Sequence, residues 1–175
     1  MYGEQFLGLA ELICAAILSM GWANADVACK HMPTVVQAAK KNGINPYILT
    51  SLVYVESRWQ PKAHSGANAC GLTQIIPRFT KKSKAGYVSC RQLQQNPTLA
   101  IERGAQILKY WIKKYGRGSL HTGLCGYNVG YRCRGTKIWK RGHAYARKVI
   151  RLAWKLELRT KMEKEEWKAT PGCYE

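Results

Sequence analysis

No stretch of this 175-residue chain alternates apolar and polar side chains over the length of a strand, and that absence constrains the fold more than any other feature. A half-buried strand needs a period of two, whereas an amphipathic helix needs apolar residues three and four apart. Residues 34–41, TVVQAAKK, fit a short helix stopped by Asn42-Gly43. Asn45-Pro46 then opens YILTSLVYVESRW, with Asn as cap and Pro in the first turn. Gln60-Pro61 closes it, and KAHSGANACG (62–71) is small, polar and Gly-bearing, a loop of the kind that carries function. LTQIIPRF follows as a short turn or helix. Asn96-Pro97 opens a helix over 97–114 with Leu99, Ala100, Gly104, Ile107, Leu108 and Trp111 facing inward. A short helix lies within 120–130, and a long one over 143–167 is apolar at first and heavily charged later. The expected class is mainly α, a single domain with a real core, with room for one small β-hairpin within 64–76.

Acids are scarce where they would be most useful. From Val27 to Trp154 the chain has only two carboxylates, Glu56 and Glu102. Glu56 stands among apolar neighbours: on a helix, Ile48, Leu52, Val55, Glu56 and Trp59 share a face. A carboxylate pressed toward a core is costly as an ion, so its pKa rises unless a cation rescues it. Either an ion pair waits there, or the chain holds a protonated acid at that point.

Residues 6–25, FLGLAELICAAILSMGWANA, form a largely apolar run broken by Glu11 and ending in Ala23-Asn24-Ala25, which suits cleavage before Asp26. Residues 1–25 therefore fit an export signal, although they contain no Lys or Arg. A non-cleaved anchor and a buried first helix are the alternatives. Cleavage would remove Cys14 and leave Cys29, Cys70, Cys90, Cys125, Cys133 and Cys173, an even set suited to disulfides in an oxidising compartment, with the connectivity open. No cysteine pair has CxxC spacing, and His31, His64, His121 and His143 show no ligand spacing, so no metal is expected. The layout expected is a leader or anchor over 1–25, a catalytic domain over 26–158 and a charged tail over 159–175.

Five pieces now fall in order: Glu56-Ser57 at the end of a helix, Ser65 nine residues after the Glu, GLTQ with Gln74 eighteen after it, the NP pair at 96, and GYNVG at 126–130. With Tyr145 on the closing helix, this order resembles the soluble lytic transglycosylase family of lysozyme-like enzymes that cleave peptidoglycan. The resemblance covers about residues 34–153. It implies a lysozyme-like domain of the goose-lysozyme type that cuts the MurNAc-β-1,4-GlcNAc bond with formation of a 1,6-anhydro ring, without cofactor. It makes Glu56 the single acid and then base. Ser65 would hydrogen-bond near the Glu and the substrate N-acetyl group, with Ser57 as structural support. Gln74, Tyr127 and Asn128 would line the sugar cleft, and Tyr145 would point its hydroxyl at the catalytic carboxyl. Thr73 stands where the family has Met, which would remove a flexible apolar wall from the cleft.

The charge gives the partner class. With 28 Lys and Arg against 10 Asp and Glu, the net charge is +18, which attracts polyanions. No groove-reading or RNA-recognition motif is present, so no specific nucleic acid is expected. Peptidoglycan strands, with anionic wall or outer-membrane polymers, fit the resemblance, as does a place in a secretion, pilus or virion assembly. The location expected is periplasmic or secreted, with a membrane-anchored form facing the periplasm or a phage virion as alternatives. A goose-type muramidase, which hydrolyses the bond, and a catalytically silent wall-binding or virion protein are the rival functions.

Overall fold

The computed structural model describes residues 8–81, 85–135 and 137–169. Seven α-helices follow one another among them: α1 Leu9–Ser19, α2 Ala25–Asn42, α3 Pro46–Ser57, α4 Cys90–Gln95, α5 Pro97–Tyr110, α6 Leu120–Val129 and α7 Trp139–Ala169. Both Asn-Pro starts behave as their chemistry dictates. The Asn45 side chain accepts from the Tyr47 amide at 2.8 Å and Asn96 from the Leu99 amide at 2.9 Å, each with Pro in the first turn. Gly43 stops α2 in the left-handed region (φ 64°). The helix after Asn96 ends as α5 at Tyr110, and a π-turn over Trp111–Tyr115 continues it. α4 begins with a capping box between Ser89 and Gln92.

One core runs through the molecule. Leu49, Leu52 and Val53 of α3, Ile101, Ala105 and Leu108 of α5, Leu124 of α6 and Val149, Ala153 and Leu156 of α7 are all buried in it. The body of α3 is therefore enclosed, while Tyr54, Val55 and Glu56 near its end stay half-buried. Among the described residues no strand forms. Where a hairpin had room, His64 bridges Cys70 and Cys70 bridges Ile75, two isolated antiparallel pairs. The segment turns too sharply for a ladder: Gly71 (φ 73°) sits where a Cβ would come within 2.6 Å of the Leu93 carbonyl, and Gln74 is also left-handed (φ 48°).

The N-terminal segment takes part in this core. Leu12, Ile13, Ala16 and Ile17 of α1 are buried, Trp22 stacks on Tyr54 of α3 at 4.2 Å, and Cys14 is disulfide-bonded to Cys29 of α2. Cys14, set apart above with the leader, is thus one of the paired cysteines; the others are Cys70–Cys90 and Cys125–Cys133. Cys173 and the end of the charged tail lie outside the described residues. Among the described residues no helix is long and apolar enough to cross a membrane.

Candidate active site

Glu56 occupies the last turn of α3, and the chain leaves that helix abruptly. Arg58 and Trp59 are both left-handed (φ 50° and 60°), a conformation that costs non-glycine residues on the order of 1–3 kcal/mol each. Two anchors hold the turn. The Asn24 amide donates to the Arg58 carbonyl at 2.7 Å, and Trp59 is wholly buried. Ser57 donates back to the Val53 carbonyl at 3.2 Å and is buried, so it supports the helix end and does not face a ligand.

Glu56 is half-buried at the end of α3. Among the described residues every ion pair lies on α7, and none involves Glu56. Burial pushes its pKa up to about 7, against the lowering pull of a hydrogen bond donated by Tyr145 to Oε1 at 2.5 Å. Desolvation therefore outweighs the single hydrogen bond here. Burial, and then the proximity of Glu56, also push the hydroxyls of Tyr127 and Tyr145 well above the ordinary phenol range. Both stay protonated, and each donates its proton in the bonds seen here. At neutral pH about half of the molecules carry a proton on Glu56.

Three elements converge on this carboxyl. α3 carries it, α7 brings Tyr145 against it, and α6 brings Tyr127, whose hydroxyl donates to the Thr73 carbonyl at 2.7 Å. That bond ties α6 to the loop after α3. Thr73, at the position where the family has Met, packs inside the molecule. It is fully buried, its hydroxyl donates to the Ala100 carbonyl at 2.7 Å, and a Cβ at Gly104 would collide with it at 2.5 Å. The absence of a side chain at Gly104 on α5 thus leaves the room that Thr73 fills.

Ser65 and Gln74 are occupied with their own loop. The Ser65 hydroxyl accepts from the Ala69 amide at 3.1 Å, and the Gln74 side chain donates to the carbonyls of Gly71 (3.0 Å) and Ala63 (3.3 Å). Both shape the rim; neither is recorded in contact with Glu56. Asn128 is different: its Oδ1 is buried without a hydrogen-bond partner, a state that leaves desolvation uncompensated. Glu102 is exposed on α5. A hollow of about 410 Å³ lined by Asn24, Val27, Trp59, Gln60, Pro61, Lys62 and Gln94 lies beyond the end of α3 and includes none of the predicted site residues.

One cluster escaped the sequence. His121 and His143 share a hydrogen bond at 2.7 Å, and the other ring nitrogen of His143 lies 3.7 Å from Cys133 Sγ. Their separation along the chain gave no spacing signal, because the turn between α6 and α7 creates it. The paired sulfurs of Cys125 and Cys133 are bonded to each other, so the group stands as packing around a disulfide.

A family model described as the transglycosylase SLT domain matches residues 33–150. A membrane-bound lytic murein transglycosylase C from Haemophilus influenzae (strain PittEE) is 37% identical over 91 residues, which are 49% of this chain and 25% of that protein. Its namesake from Glaesserella parasuis serovar 5 is 33% identical over 97 residues, 52% of this chain and 26% of the relative. The match thus spans about a quarter of each curated relative. Among solved structures, an inactive mutant of the lytic transglycosylase Slt from Pseudomonas aeruginosa superposes with a TM-score of 0.57 at 17% identity, covering 95% of this chain and 32% of that one. The 70 kDa soluble lytic transglycosylase of Escherichia coli gives a TM-score of 0.54 at 22% identity, covering 91% and 30%. These similarities establish a shared fold.

Proposed function

The chain belongs to the transglycosylase SLT domain family, and from that premise we propose that it is a peptidoglycan lytic transglycosylase with Glu56 as its one acid and base. The observation that carries this reading is a half-buried carboxyl, free of any ion pair among the described residues, whose pKa burial pushes up to about 7. Such a group can give a proton to the glycosidic oxygen and take one back in the same turnover.

The bond between C1 of MurNAc and the oxygen on C4 of GlcNAc breaks as Glu56 protonates that oxygen, which departs as a hydroxyl. The positive charge left at C1 is met by the substrate's own N-acetyl oxygen. Glu56, now a carboxylate, accepts the proton of the C6 hydroxyl as that oxygen attacks C1 and closes the 1,6-anhydro ring. Protons balance, and no water is consumed. Hydrolytic glycosidases commonly use a second carboxylate; the one other acid between Val27 and Trp154 is the exposed Glu102.

The remaining assignments extend the same reading. Tyr145 holds the Glu56 carboxyl in place through its hydrogen bond. Asn128, with its unpartnered Oδ1, accepts from a sugar N–H or O–H beside Tyr127. Ser65 and Gln74 present the 62–76 loop to the glycan. Three disulfides among the described residues favour an oxidising, exported setting, consistent with a wall substrate facing the periplasm.

Incubating purified sacculi with the protein and weighing the soluble fragments tests the reading. Anhydro-terminated fragments, absent with Glu56→Gln, support it. Fragments heavier by one water identify a muramidase and overturn it. Equal release by Glu56→Gln and the parent removes Glu56 from the chemistry.

A further inference from the structure

α7 is 31 residues long, and its inner side is spoken for. Gly142, Ala146, Val149, Ala153, Leu156 and Thr160 are buried along it. The opposite side, turned fully to solvent, should be polar. Instead Trp154, Leu158 and Met162 lie there at four-residue spacing, exposed by 63%, 47% and 45%. Their spacing places them in one stripe about 12 Å long.

The charges around the stripe are unbalanced in a particular way. Every carboxylate of α7 is already engaged: Glu157 with Lys161, Glu163 and Glu166 with Arg159, Glu165 with Lys168. Arg147, Lys148, Arg151 and Lys155 are exposed on the same outward side, and none is within ion-pair distance of a carboxylate among the described residues. The acids are consumed inside the helix, and the surplus bases gather around Trp154.

We propose that the outward face of α7 is a docking surface for an anionic lipid bilayer, with Trp154, Leu158 and Met162 entering the headgroup boundary and Arg147, Lys148, Arg151 and Lys155 meeting lipid phosphates. A tryptophan–aliphatic stripe bordered by Lys and Arg is the composition of helices that lie in the membrane interface. The charge alone would fit any polyanion, but an acidic glycan or a nucleic acid gives Leu158 and Met162 no apolar environment to enter. Long basic side chains can also lay their stems on the apolar stripe while their heads reach the phosphates. Tyr145 meets Glu56 from the protein side of the same helix, so a bilayer on the outer face leaves the acid uncovered.

The test is co-sedimentation of the full chain with vesicles rich in phosphatidylglycerol and with vesicles of phosphatidylcholine alone. Binding to the anionic vesicles, weakened by salt and at least about tenfold stronger than to the neutral ones, is expected. The triple change Trp154→Gln, Leu158→Gln and Met162→Gln should reduce that binding at least about tenfold while circular dichroism stays helical. Arg151→Gln with Lys155→Gln should lower it and flatten its salt dependence. Three results overturn the proposal: no preference for anionic vesicles, binding unchanged by the apolar triple variant, or a parent dimer in sedimentation equilibrium that the triple variant abolishes, which would make the face a self-association surface. Release of fragments from sacculi should be the same for parent and triple variant, so failure here is separable from failure of the catalytic reading.

Discussion

Two regions of this molecule treat a carboxylate in opposite ways. On the last turns of α7, Glu163 lies 2.7 Å from Arg159, and a hydrogen bond from Ser19, together with that guanidinium, holds its carboxyl below the usual range. At the end of α3, Glu56 is half-buried, has no cation among the described residues, and is pushed up to about 7 by burial. The sequence offers 28 bases for 10 acids, so a cation is the default neighbour of any acid in this chain. That Glu56 escapes one is a product of packing. The difference between the regions is between a carboxylate kept as a structural charge and one kept as a proton carrier.

The largest expected effect comes from removing the carrier. Glu56→Gln keeps the shape and should lower the rate of glycan release by about 10²–10⁴-fold, the usual share of general acid–base catalysis, measured by muropeptide release from sacculi. The same variant should be more stable than the parent at and above neutral pH. Between the ordinary carboxyl value of 4.5 and the folded value of about 7, the folded chain holds a proton that the unfolded chain has released. Stability therefore declines as pH rises through that window, by up to about 3 kcal/mol. Glu56→Gln removes the decline, and a thermal-melting series from pH 4 to 8 reads it directly; parallel curves for parent and variant would break the comparison.

Tyr145→Phe sharpens it further. The lost hydrogen bond favoured the carboxylate, so the Glu56 pKa rises and the alkaline limb of the rate profile moves to higher pH. The loss of positioning should cost about tenfold in rate. Glu163→Gln should behave in the contrary sense and weakly. A lowered carboxyl gives stability that is present above the ordinary value and lost as pH falls through the folded one, and a partly buried pair at the surface is worth about 1 kcal/mol or less. Urea unfolding near neutral pH should show that small loss, with activity retained.

The legible parts of the fold were those written in local chemistry. Asn45-Pro46 and Asn96-Pro97 announced helix starts because cap and first-turn requirements act within four residues. Glu56 was legible because a charge on an apolar helical face is a contradiction that some function must resolve. What escaped depended on distant partners. The apolar run before Ala25 has the same composition whether it leads an export signal or packs as a helix, and only contact with Tyr54 and Cys29 distinguishes the packed state seen here. That Thr73 packs inside depends on Gly104, on another helix, which makes room for it. The stripe at Trp154, Leu158 and Met162 was hidden within a run that simply looked charged. The lining assignments for Ser65, Gln74, Tyr127 and Asn128 rest on motif order. A glycan complex tests them.

One titration reaches the centre of this account. Carboxyl-labelled glutamate followed by NMR across pH, with Glu56→Gln used to assign the resonance, gives the ionisation of this one side chain in the folded protein. A midpoint near 7 is the expected result. A midpoint at or below the ordinary carboxyl value of 4.5 would mean that a charge or solvent reaches the group, and Glu56 could not then be the proton donor described here.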